Sequence, residues 1–252
     1  MKISIITVVW NNKETIKDAI DSVLSQTYKK IEYIIIDGAS TDGTVKIIQS
    51  YGDKITKFVS QKDKGLYDAM NKGINLATGD IVGILNSDDV YLDINVIQNV
   101  IDVFEKKKVD SAYGDLYYVD ENNLSKVSRY WKSSDFVQGS FSKGWHPPHP
   151  TFFVKKEIYN KYGIFDDNNK ISADFELMLR FLERFKISTT YLPQVIVKMR
   201  EGGASNQSIK NIIKGNLNIL KAFDENNIKV NKFTYLFYRF IPKILQKLKR
   251  GK

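Results

Sequence analysis

The sequence predicts an α/β fold in which a mostly parallel sheet is flanked by helices and followed by a mixed second half. Three observations predict it. Short apolar runs alternate with helical stripes between Ile3 and Leu85, the pattern of parallel strands joined by crossover helices. Several of these runs stop abruptly at polar or acidic residues. From Ser111 onward the apolar runs are aromatic-rich and split by a short acidic turn, as antiparallel strands are.

Taken in order, Ile3–Trp10 reads as a buried strand, and Asn11 and Glu14 have the spacing of a capping box for the helix that follows. Ile16, Ala19, Ile20, Val23 and Leu24 form one stripe of that helix, facing a sheet. Ile31–Ile36 is the second strand and ends in Asp37, followed by turn formers up to Gly43. Val45, Ile48 and Tyr51 suit a short helix, Phe58–Ser60 a third strand, and Leu66–Ala77 a helix with Leu66, Met70 and Ile74 in line. Ile81–Leu85 is the fourth strand and runs into Asn86-Ser87-Asp88-Asp89. Open parallel sheets bind ligands outside the carboxyl ends of their strands. Trp10, Asp37, Asp88 and Asp89 are therefore expected on one edge. Adjacent aspartates are hard oxygen ligands suited to Mg or Mn; the plainer alternative is a polar turn capping the next helix.

After a helix carrying Val96, Ile97, Val100, Ile101 and Phe104, the runs Ala112–Tyr118 and Val127–Trp131 read as a hairpin. Ser133–Pro150 holds two glycines and three prolines, too many breakers for regular structure, and loops of this length usually serve function. Thr151–Val154 reads as a strand, Phe175–Phe185 as a helix, Thr189–Leu192 and Val195–Met199 as two strands, and Ser208–Phe223 as a helix.

With 252 residues, 42% of them hydrophobic, the chain can bury a sizeable core, here expected as one domain over residues 1–228 with halves 1–107 and 108–228. It has no cysteine, which removes disulfides, thiolate zinc sites and cysteine nucleophiles. His146 and His149 are its only histidines, too few for a multi-histidine metal site. Net charge is +9, but Lys229–Lys252 carries eight bases and no acid, so the body is nearly neutral. A nucleic-acid binder would carry its basic patch on the folded domain. In residues 229–252, Phe233, Leu236, Phe237, Phe240, Ile241, Ile244, Leu245 and Leu248 follow helical spacing opposite Arg239, Lys243, Lys247 and Arg250, with a kink expected at Pro242. Such a helix suits an anionic membrane surface; the alternative is packing on the body or on the second subunit of a homodimer. No run reaches the roughly 18 apolar residues needed to span a bilayer. The short apolar start lacks a small-residue cleavage site, so it reads as the first strand of a cytoplasmic protein.

Ser4–Asn11, Ile36–Thr44, Asn71–Ile74 with Ala77–Asp80, Leu85–Asp89 and Ala173–Leu177, in this order and spacing, resemble the family 2 inverting glycosyltransferases of the GT-A fold. The likeness is to non-processive members that build bacterial surface polysaccharides, and it covers residues 1–205. It implies transfer of a sugar from a nucleotide-sugar, a UDP-sugar above all, to a hydroxyl of a lipid-linked glycan, with Mn or Mg as cofactor. Residues 1–107 would then bind the nucleotide and 108–228 the acceptor, with the tail holding the enzyme at the inner face of the membrane.

By the same resemblance Trp10 would stack on the nucleobase, Asp37 would accept a hydrogen bond from the base ring, Asp88 would lie near the ribose and Asp89 would hold the metal, with Asp88 beside it. Asp174 would be the general base of a single in-line displacement. Each has a structural alternative: a core aromatic for Trp10, a turn residue for Asp37, and a helix first-turn acid for Asp174. His149 is a candidate for orienting diphosphate or acceptor, or else an ordinary loop residue. Two positions depart from the family pattern. Met70 stands where many members have Arg, leaving Lys64 as a candidate replacement, and Asn86 stands where an acid is usual. The absence of a Gln-x-x-Arg-Trp motif counts against a processive synthase. The rival readings are a sugar nucleotidyltransferase, which would need a Gly-rich basic loop after the first strand, and a non-catalytic glycan-binding module.

Overall fold

A computed structural model of the chain describes residues 1–169, 171–202, 209–231 and 235. Its centre is β1 (Ile3–Val9), buried at every position, with β2 (Ile31–Asp37) and β4 (Ile81–Ile84) parallel on either side and β3 (Lys57–Ser60) beyond β2. The period of two along β1 sorts its side chains between two cores. Ile3, Ile5 and Val9 pack with α1 (Ile16–Leu24) and α4 (Val96–Lys107), and Ile6 and Val8 with α3 (Leu66–Leu76). Gly73 lets α3 lie close on β1: a Cβ there would fall 2.4 Å from Ile6 Cγ2.

The sheet continues without a break into the second half. β8 (Phe153–Lys155) pairs antiparallel with both β4 and β6 (Ser111–Asp120). β6 forms the expected hairpin with β7 (Asn123–Trp131), and its other edge pairs parallel with β9 (Thr189–Arg200). β5 (Val90–Tyr91) pairs antiparallel with β9. The parallel half and the mixed half are thus one nine-stranded sheet. α2 (Thr44–Gln49), α5 (Lys156–Tyr162), α6 (Ala173–Leu179) and α7 (Ile209–Glu225) complete the regular structure.

Four details differ from expectation. The first helix starts at Ile16 without a side-chain cap, because Asn11 takes φ 47° and accepts a hydrogen bond from the Thr41 amide at 2.8 Å. Asn86–Asp89 leads into the two-residue strand β5 and caps no helix. The two strands expected around Pro193 are one, with register shifts against β6 absorbing the irregularity. The helix expected up to Phe185 becomes a π turn at Arg180–Arg184. Apart from Lys229–Asn231 and Tyr235, the basic tail lies outside the described residues, as does Ser208. Among the described residues no helix is long and apolar enough to cross a membrane.

A buried polar anchor joins the first two strands to α3. Glu32 on β2, 2% exposed, accepts from Ser4 Oγ at 2.6 Å, from the Thr78 amide and hydroxyl at 2.7 Å each, and from Lys2 Nζ at 3.1 Å. Burial alone would raise its pKa, but these donors together hold it well below the ordinary 4.5. A depressed carboxylate stabilises the fold above its unfolded pKa and loses that contribution as pH falls toward the folded value. Glu32→Gln should therefore cost about 3 kcal/mol at pH 7. It should also lose less stability than the wild type between pH 5 and pH 3, as read from urea midpoints. Equal acid sensitivity in both proteins would refute the linkage.

Candidate active site

β1 and β2 end together, with Val9 opposite Asp37, and β4 ends three residues short of them, with Ile84 opposite Ile6, so that the residues following all three strands run out at one edge of the sheet. Trp10 is 68% exposed there, so it is not a core aromatic. Asp37 is fully buried. Its Oδ2 accepts from the Ser40 amide at 3.0 Å and Ser60 Oγ at 2.6 Å, whereas its Oδ1 has no partner. A Cβ on Gly38 would fall 2.6 Å from Asp63 Oδ2 and 3.3 Å from Trp10 Cδ1, so this glycine keeps open the space between them. Asp63 was not singled out from the sequence; its signal is an acid followed two residues later by Gly65 at the end of the third strand's loop. Lys64 is exposed, its amide bound to Asp68 Oδ2 at 2.9 Å, and Met70 is buried.

At the end of β4, Asp89 is 0% exposed. Asn86 Nδ2 donates to its Oδ2 at 3.2 Å, and its Oδ1 has no partner. Asp88 is half-buried beside it. Arg200, the last residue of β9, fixes this turn from the far side. It donates to the Asp88 carbonyl at 2.7 Å, to Asp18 Oδ2 at 2.5 Å and to the Glu121 carbonyl at 3.0 Å. Burial pushes the Asp88 carboxyl above its usual range, and burial together with the Asp88 charge pushes Asp89 well up. Two crowded carboxylates with an orphaned oxygen are short of positive charge, which suits a divalent ion. Among the described residues no three or more His, Cys, Asp or Glu side chains gather as a metal site. Mg and Mn sites on phosphate substrates need only one or two protein carboxylates, so Asp89 and Asp88 fit such an ion.

Asp174 is the second residue of α6, whose N-cap Ser172 takes the left-handed conformation at φ 78°. Its Oδ1 accepts from the Tyr67 hydroxyl at 3.0 Å and its Oδ2 lies 3.2 Å from His149 Nδ1. Burial and the Asp174 charge push the Tyr67 phenol up, so it stays a donor. The carboxylate is still 26% exposed, and each oxygen keeps a lone pair for an incoming proton. A small cavity of about 30 Å³ is bordered by Asn86, His149 and Asp174 and lined beyond them by apolar residues, among them Met70, Ile84 and Phe152. Leu66 is 48% exposed, and Tyr67 takes its place on the buried face beside Met70 and Ile74, a position that the stripe of Leu66, Met70 and Ile74 does not point to.

Solved structures share this fold. TarS residues 1–349 of S. aureus in complex with UDP-GlcNAc align with TM-score 0.71 at 15% identity, over 95% of this chain and 70% of that one. The mannosyltransferase PcManGT of Pyrobaculum calidifontis, in complex with GDP-Man and Mn2+, aligns with TM-score 0.64 at 18% identity, over 95% and 69%. The architecture is the GT-A fold. An uncharacterized glycosyltransferase of Rickettsia typhi is 30% identical over 216 residues, 79% of this chain; the chain spans 63% of that relative's length. The PGL/p-HBAD biosynthesis glycosyltransferase of Mycobacterium tuberculosis H37Rv is 26% identical over 208 residues, 81% of this chain and 78% of its own. The profile of glycosyl transferase family 2 matches residues 4–170, a span that holds Trp10, Asp37, the Asp88–Asp89 pair and His149, and the chain belongs to that family.

Proposed function

We propose that the chain is a metal-dependent, inverting glycosyltransferase that moves one sugar from a nucleotide-sugar to a hydroxyl of a lipid-linked glycan at the inner face of the membrane. The observation that carries this reading is that Asp174, its neighbour His149 and Asn86, which donates to Asp89, border one cavity. Trp10 offers an exposed ring for the base, and Asp37 Oδ1 is an unpartnered acceptor for a base N–H. Asp88 would lie near the ribose and Asp89 would hold the ion. A divalent metal bound there supplies charge to offset that developing on the leaving diphosphate. Asp174 takes the acceptor proton as the hydroxyl oxygen bonds to the anomeric carbon and the nucleoside diphosphate departs with the electrons of the broken C–O bond. His149, at 3.2 Å, and Tyr67, at 3.0 Å, hold the carboxylate in place. The solved neighbours' UDP-GlcNAc, GDP-Man and Mn2+ ligands support a nucleotide-sugar and a metal here.

The test is release of nucleoside diphosphate from a panel of UDP- and GDP-sugars with Mn or Mg. One donor is expected to be slowly hydrolysed, with the activity lost on chelation and restored by metal. Neither turnover nor nucleotide binding across the panel would overturn the reading.

A further inference from the structure

The proposed site is built from acids, yet its substrate would bring a diphosphate. Met70, at the position where the family resemblance implies an arginine, is buried, and Lys64 is an exposed loop residue. A different cation lies on the β6–β7 hairpin, in strand register with the site. β5 pairs Val90 with Lys198, and β6 pairs Tyr118 with both Met199 and Arg129. Extending the β5 ladder by one residue puts Asp89, Met199, Tyr118 and Arg129 in a single cross-strand row. Three strand spacings of about 4.8 Å separate its ends, a gap that an arginine side chain and a diphosphate can fill together. Arg200, opposite Val119 on β6, ties this row to the Asp88 carbonyl at 2.7 Å.

The Arg129 guanidinium is held by rings, not by a carboxylate. Its carbon lies 4.3 Å from the Tyr118 ring centroid and 5.5 Å from that of Trp131, and those two rings stack at 6.3 Å and 4°. Among the described residues its side chain makes no hydrogen bond or ion pair, unlike Arg180, paired with Glu176, and Arg200, paired with Asp18. Stacked guanidinium keeps its in-plane N–H donors open. Tyr118 reports the neighbourhood: burial raises its phenol, Arg129 lowers it, and the charges of both Asp89 and Asp174 act on it. Trp131 also meets His146 edge-on at 5.2 Å, and His146 meets Phe175, the residue after Asp174, at 5.4 Å. The hairpin is thus packed toward both halves of the site.

We infer that Arg129 is a phosphate-binding residue, presented by Tyr118 and Trp131 to a phosphate or diphosphate of the substrates that meet between Asp89 and Asp174. The phosphate belongs either to the donor's nucleoside diphosphate or to the lipid carrier of the acceptor, and planar guanidinium suits either. This inference rests on the proposed function.

Its test uses the full chain and Arg129→Gln, with Arg129→Lys as the variant that keeps the charge but loses the fork. Calorimetry with Mn and UDP or GDP, whichever the donor panel releases, reads the first source. KM for a sugar on a short prenyl diphosphate, against the same sugar as a simple glycoside, reads the second. About a tenfold loss in Arg129→Gln is expected in one of the two, with a smaller loss in Arg129→Lys. Weakened nucleotide affinity assigns the donor; a raised KM confined to the diphosphate acceptor assigns the carrier. If Arg129→Gln fails to fold, the loss in Arg129→Lys decides alone. Nucleotide affinity and both KM values within twofold of wild type would overturn the inference. A wild type that binds no nucleotide would instead count against the function itself.

Discussion

Asp174→Asn is expected to cut sugar transfer about 10³-fold while leaving nucleotide affinity and thermal stability close to wild type. General-base catalysis by a placed carboxylate is worth about 10²–10⁴-fold, and the amide cannot accept the acceptor's proton. The substitution is nearly isosteric. Its oxygen can still receive the Tyr67 hydroxyl that now lies 3.0 Å from Oδ1. Its NH₂ can donate to His149 Nδ1, 3.2 Å from Oδ2, once the ring carries its proton on Nε2. The surroundings thus survive and the chemistry does not. Steady-state transfer, nucleotide calorimetry and Tm on the same preparation separate the two. Transfer within tenfold of wild type would reduce Asp174 to an acid in the first turn of α6, where the helix dipole alone favours one.

The strand-end residues of this site were legible in the sequence because a buried strand that stops at an acid is a strong contrast. β2 ends in Asp37 and β4 runs within five residues to Asp89, and parallel pairing with β1 does the rest. The helices were legible to within a phase. α3 was expected with Leu66, Met70 and Ile74 inward; the last two are buried, but Tyr67 replaces Leu66, since Gly65 at φ 132° sets where the helix begins. What could not be read are contacts between residues far apart in the chain. Arg200 ends a strand like many arginines, and the antiparallel β5–β9 pairing, with Val90 opposite Lys198, brings it to the Asp88 carbonyl. Asp115 is another such case. It is buried at 1% exposure and accepts from the Tyr191 hydroxyl and the Ser133 amide at 2.7 Å each, partners that no local pattern links to it. Asn11 failed for the opposite reason: its capping-box spacing is real, but a competing bond to the Thr41 amide wins.

Asp89→Asn should invert its effect with the metal, melting above the wild type in chelator and below it with Mn and nucleotide. In the metal-free protein the Asp89 carboxyl is at 0% exposure with one oxygen unpartnered, and burial and the charge of Asp88 both oppose its ionisation. Burying such a group costs free energy that an amide largely avoids. A gain of about 1 kcal/mol, or roughly 3 °C in Tm for a chain of this size, is expected in EDTA. Saturating ligand then favours the wild type by mass action, by about 2.7 kcal/mol at 100 times Kd. The variant, having lost the ion's anchor, should show little of that shift and no detectable transfer. A variant that melts below wild type in EDTA would make Asp89 a structural acid satisfied by groups other than a cation. A variant that keeps the full Mn-dependent shift would move the ion to other ligands. The crossing of the two melting curves separates these cases because it reads the same carboxyl group twice, once as an unsatisfied buried polar group and once as a ligand. A residue that costs stability in the empty site and returns it only with substrate and metal is placed there for the reaction, not for the fold.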